Sequence, residues 1–142
     1  MTAKLDILKD WFQTVWIKAE LDRVESFFLA RAQADGLIAD GQVGPEEFRT
    51  LVPALRALVR DLSITIDRSH EDADWLWAQT RVQARSARDL SPVEASGQIM
   101  LRFEGDRIAE AYNSFDFLTF FASTGQLPAD AFLLLLSGER LH

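Results

Sequence analysis

The chain of 142 residues reads as an α+β domain, helices first and an antiparallel sheet after them. Three observations predict this. Apolar residues recur at helical spacing as far as Val59, and from Leu62 they alternate. The alternating runs are joined by short turn-forming clusters, which implies antiparallel pairing. Helices gathered on one side of such a sheet give a two-layer α+β arrangement. If the sheet curves strongly and the N-terminal helices cover its concave face, a blind pocket is left between them.

Leu5, Leu8, Trp11, Phe12, Val15 and Ala19 form one stripe of an amphipathic helix starting near Thr2. Leu21, Val24, Phe27 and Phe28 continue as a second, shorter helix after a bend at Lys18-Ala19-Glu20. Ala30 to Ile38 has room for a short strand, and Asp40 to Gly44 reads as a loop. Pro45 suits the first turn of a third helix, with Glu46 and Glu47 near its positive end. Phe48, Leu51, Val52, Leu55, Leu58 and Val59 are its buried stripe, and Pro53 is expected to kink it.

Leu62, Ile64 and Ile66 then alternate with polar residues, and Ser69 to Asp74 reads as a turn. Trp75 to Ala87 is a long second strand. It carries Leu76, Ala78, Thr80, Val82 and Ala84 on one face and Trp75, Trp77, Gln79, Arg81, Gln83 and Arg85 on the other. Arg88 to Ala95, with Pro92, reads as a loop, Gly97 to Phe103 as a third strand and Ile108 to Phe115 as a fourth. A helix from Phe117 to Ser123 is stopped by Gly125 and Pro128, and a last one spans about Asp130 to Leu136.

The length suits one domain, residues 1–142, with a core that needs no staples. Fifteen basic against 22 acidic residues give a formal charge of −7 and no basic run, which argues against nucleic acid and anionic membranes as partners. With no cysteine, disulfides and thiolate metal sites are excluded. His70 in a charged turn and His142 at the end have no accompanying ligand set, so no metal is expected. No phosphate-cradling glycine motif or nucleophile elbow occurs. The N-terminus resembles no secretory signal, and Phe132 to Leu136 is far short of the ~20 apolar residues that span a bilayer. The expected location is the cytoplasm.

Local patterns along most of the chain carry a family resemblance. They are Trp11-Phe12-x-x-Val15-Trp16 with Leu21-x-x-Val24-x-x-Phe27-Phe28; Gly44-Pro45-Glu46-Glu47-Phe48; Asp61-Leu62-x-Ile64-x-Ile66; and Gly105-Asp106-Arg107-Ile108-x-Glu110-x-Tyr112-x-x-x-Asp116, closed by Gly125 and Pro128. In this order they resemble the SnoaL-like polyketide cyclases of the NTF2-like superfamily. The resemblance implies an NTF2-like (cystatin-like) cone, a homodimer, no metal and no organic cofactor. It also implies a small hydrophobic or polyketide-like ligand, with an aspartate at the strand-to-helix junction as general acid/base. Here that position is Asp116. Where the cyclases carry Gln and His on the preceding strand this chain has Met100 and Arg102, and where Trp is common four residues before the aspartate it has Tyr112.

Phe115, Phe117, Phe120 and Phe121 surround Asp116 in sequence, and desolvation among them would raise its pKa toward the range of a working base. The competing role is a helix N-cap. Arg102 is read as a pocket residue that binds an enolate or carboxylate or pairs with Asp116, a pairing also open to Arg85, or else as a sheet-edge or dimer-face arginine. Tyr112 is a candidate oxyanion donor, and Phe12, Trp16, Met100 and Phe120 complete the expected pocket. The Trp75/Trp77 face, mixing aromatics with Gln and Arg, has the composition of a homodimer interface. Two functions follow: acid–base catalysis on a carbon acid, or a non-catalytic ligand-binding or interaction module in which Asp116 only caps a helix.

Overall fold

A computed structural model describes residues 3–30, 32–38 and 41–141. The expected helix start at Thr2, the loop residue Asp40 and His142 lie outside these. The order of elements is α1 (Lys4–Trp11), a π-helix (Phe12–Ile17), a 3-10 turn (Leu21–Arg23), α2 (Val24–Phe27), β1 (Ala34–Ile38), β2 (Gly41–Val43), α3 (Pro45–Arg56), β3 (Val59–Asp72), β4 (Trp75–Ser86), β5 (Pro92–Glu104), β6 (Arg107–Phe115), α4 (Phe117–Thr124) and α5 (Ala131–Leu136). This is the expected α+β layout, with a curved, unclosed sheet of six strands in the order β2-β1-β6-β5-β4-β3.

The first helix does not run through to Ala19 in α-helical register. After Trp11 it widens to a π-helix, with Lys18 N–H donating to Gln13 O at 2.9 Å, five residues back. The bend expected at Lys18 to Glu20 is there, with Ala19 at φ 55°. Trp11 then becomes the hub of the core, with ring centroids 5.3, 5.3 and 5.1 Å from Phe27, Phe28 and Phe48 in edge-on geometry. Such pairs contribute about 0.5–1.5 kcal/mol each beyond the area they bury.

The strand Ala30–Ile38 had room for is β1, and part of the expected loop after it is β2, so Gly41 to Val43 is strand. β1 runs parallel to β6, the one departure from antiparallel pairing among the named strands. Gly36 makes that approach feasible. It sits at φ +88°, and a Cβ there would lie 1.8 Å from Asn113 O. No other residue fits both constraints.

The third helix ends at Arg56, and Val59 begins β3 instead of closing the helical stripe. Pro53, three residues before the end, lies within the helix. Leu58 N–H donates to Leu55 O, a tighter three-residue turn that leads out of the helix. β3 outlasts its alternating residues. Ser69 to Asp72, read as a turn, pair with Ala78 to Trp75, and Ala73-Asp74 alone turns the hairpin, with Ala73 at φ 51°. Cross-strand pairing with the tryptophan-rich end of β4 overrides the polar composition of that segment. Likewise Pro92 to Ala95, read as loop, open β5, where proline tolerates the first position of a strand.

Candidate functional site

Between the concave sheet face and the helices lies a cavity of about 120 Å³. Its roof is Trp11, Phe12 and Trp16 with Phe48, Leu55 and Arg56 from α3. Its floor includes Ile64 of β3, Thr80 and Val82 of β4, Ile99 and Leu101 of β5 and Ala111 and Asn113 of β6. Phe115, Phe117 and Phe120 close one end, with Phe115 4.9 Å from Phe117 and 5.9 Å from Phe120 between ring centroids. Phe12 and Trp16, four residues apart on the π-helix, both line the cavity. Gly97 matters here. A Cβ at that position would sit 2.7 Å from Ser114 O and 3.0 Å from the Phe115 ring, so glycine lets Phe115 close the cavity end.

Of the expected pocket residues, the fold brings Phe12, Trp16 and Phe120 together around this cavity. Met100, Arg102 and Tyr112 are on the opposite, outer face. Register dictates this: Met100 pairs with Trp77 and with Tyr112, and Arg102 pairs with Trp75, so all share one face of the sheet. The Trp75 and Tyr112 rings stack at 6.3 Å. Arg102 is bound to Glu110 and, at 3.1 Å, to Glu104, while the Tyr112 hydroxyl donates to Glu110 Oε1 at 2.6 Å. The Tyr112 bond, then the Arg102 bond, hold the Glu110 carboxyl below the usual carboxylate range. Accepting that bond, Glu110 pushes the Tyr112 phenol up. Arg85 donates to Leu90 O at 3.2 Å. Neither arginine pairs with Asp116.

Asp116 stands at the junction of β6 and α4, as expected, but it is exposed and outside the cavity lining. Its Oδ1 accepts the Thr119 backbone N–H at 3.0 Å and its Oδ2 accepts the Thr119 hydroxyl at 2.6 Å. These two bonds, the hydroxyl's first, hold its carboxyl below the usual range and outweigh desolvation. The expected upward shift is therefore corrected to a downward one. Asp116 caps α4.

The residue that sequence reasoning passed over is Arg56. It lies four residues after Val52 and eight after Phe48, on the buried stripe of α3, and lines the cavity beside Leu55. A cation in the i, i+4, i+8 row of an apolar stripe was the available signal. One Nη donates to Ile17 O at 3.1 Å, at the end of the π-helix. Its Nε is buried with no acceptor among the described residues. An unsatisfied buried donor costs about 1–3 kcal/mol, and more when charged. Among the described residues no carboxylate, imidazole, lysine or tyrosine lines the cavity, and no group of side chains is arranged to hold a metal ion.

A family model described as a SnoaL-like domain matches residues 8–111. The chain belongs to the SnoaL-like family. Solved structures agree on the fold. A protein from Catenulispora acidiphila with a ketosteroid isomerase-like fold, in complex with trimethylamine, superposes with a TM-score of 0.72 at 17% identity, over 90% of this chain and 98% of that one. A candidate polyketide cyclase from Acidithiobacillus ferrooxidans gives 0.70 at 16% identity, over 89% and 97%. IdmH of Streptomyces antibioticus, also a candidate polyketide cyclase, gives 0.72 at 14% identity, over 87% and 99%. At these identities the likeness is one of fold. No curated protein matches the SnoaL-like chain in sequence. No helix among its described residues is long and apolar enough to cross a membrane.

Proposed function

We propose that this SnoaL-like protein binds a small, largely apolar molecule in the cavity between its helices and its sheet. The observation that carries this reading is the aromatic lining, with Arg56 the one ionisable group among the described lining residues. Such a site offers burial and orientation to a ligand. Among the described residues no carboxylate or imidazole lines it. The test is calorimetric titration with methyl benzoate, a neutral single-ring probe. Saturable binding at one site per chain is expected, and it is lost in Val82→Phe, which places a ring in the cavity. Binding that persists in the filled variant would exclude the cavity as the site.

A second reading, acid–base catalysis by Asp116 on a carbon acid, draws on one observation: Phe115 and Phe117, on either side of Asp116, both line the cavity. It requires a carboxylate that gains from being removed from water, whereas the capping bonds to Thr119 favour the ionised form. Asp116→Ala separates the two by its effect on stability. The exposed aromatic face carrying Trp75, Trp77, Met100 and Tyr112 is proposed as the surface through which two copies associate.

A further inference from the structure

We propose that the ligand is a monocyclic carboxylic acid, bound as its anion with the carboxylate on Arg56; this rests on the cavity being the binding site. The Arg56 guanidinium has no counter-charge among the described residues. One Nη is committed to Ile17 O, and the buried Nε–H has no acceptor among the described residues. None of the ion pairs among the described residues includes Arg56. What faces the cation is weaker: the negative ends of α3, in whose last turn Arg56 lies, and of the π-helix, which ends at Ile17. A guanidinium presents its N–H groups as a planar fork that a carboxylate meets with two oxygens.

A bland alternative is that Arg56 only ties α3 to the π-helix. That role uses the Nη bond to Ile17 and does not call for the residue to line the cavity. A clamp on the surface would keep its remaining donors in water, whereas Arg56 lines the cavity and has no ion-pair partner among the described residues.

The rest of the cavity sets the ligand's body. Phe12, Trp16, Phe115 and Phe117 present apolar surface, and no side chain among the described lining residues carries a negative charge that would repel an anion. A volume of about 120 Å³ is on the scale of a cavity that holds one benzene ring. The net charge of −7 disfavours long-range attraction of anions to the protein as a whole.

The experiment compares benzoate with methyl benzoate, which share a ring and differ in charge, by calorimetry on the full chain at neutral pH. Wild type is expected to bind benzoate at least tenfold more tightly than the ester. Arg56→Gln should abolish that preference, and Arg56→Lys should retain part of it. Equal or tighter binding of the ester by wild type would overturn the anchor and leave the apolar pocket standing. A tenfold preference that survives Arg56→Gln would also overturn it. Binding of neither probe would remove both the anchor and the pocket reading. If Arg56→Gln does not fold, the wild-type comparison alone decides.

Discussion

Asp116 spends both its oxygens on Thr119, one on the backbone N–H and one on the hydroxyl. Replacing a capping carboxylate by alanine costs about 0.5–2 kcal/mol. Asp116→Ala is therefore expected to be destabilised by that amount in denaturant unfolding near neutral pH. A carboxylate held out of water for catalysis would give the opposite sign, with stability unchanged or raised on its removal. The pH dependence follows from the direction of the shift. The folded-state pKa lies below the unfolded one, so the contribution is fully present above the ordinary carboxylate range near ~4. It fades as pH falls through the depressed folded value. The difference between wild type and Asp116→Ala should accordingly hold from neutral pH to about pH 5 and shrink below about pH 4. The junction aspartate was legible in the sequence as both a cap and a candidate base. Which role its environment favours depends on the fold, in which Phe115 and Phe117 line the cavity while Asp116 between them is exposed and caps α4.

At the scale of elements, the helices were legible because their apolar stripes are long, and the strands because Leu62 to Ile66 and Trp75 to Ala84 alternate cleanly. What the sequence did not disclose is register. Reading Arg88 to Ala95 as a loop hid the pairing of Pro92 to Ala95 with Val82 to Arg85. With it went the pairing of Trp77 with Met100 and of Trp75 with Arg102. That register puts Met100 and Arg102 on the tryptophan face, and Tyr112 follows by pairing with Met100. Met100, Arg102 and Tyr112 were expected in the pocket because they stand where the cyclases carry Gln, His and Trp, and the register sets all three on the outer face. Arg56 went unnoticed for a different reason: the buried stripe was traced through its apolar members, Phe48 to Val59, and the arginine standing in the same row was not weighed. The core these elements build centres on Trp11 and Phe48, and Phe48 is 2% exposed with the Trp11 ring edge-on to it. Phe48→Ala is expected to cost about 3–5 kcal/mol in denaturant unfolding. A loss below about 1 kcal/mol would show that the roof of the cavity is not rigidly packed.

The whole molecule presents two sheet faces of different character. The concave face is covered by helices and encloses the cavity, while the outer face exposes Met100 and Tyr112 beside Trp75 and Trp77. Aromatics interleaved with Arg and Gln are the composition of protein interfaces. Light scattering at micromolar concentration is expected to give twice the 16.1 kDa chain mass, and Trp77→Arg to give the monomer. A monomeric wild type would remove the proposed self-association and leave the cavity untouched.

The cavity itself is tested most directly by mapping a bound probe on the backbone. In a 1H–15N correlation spectrum titrated with methyl benzoate, the shifts should saturate and cluster at Trp11 to Trp16, at Leu55 and Arg56, and at Asn113 to Phe120. They should vanish in Val82→Phe. Shifts that grow linearly without saturating, or that gather on the outer face around Trp77 and Tyr112, would contradict a ligand-binding pocket between the helices and the sheet.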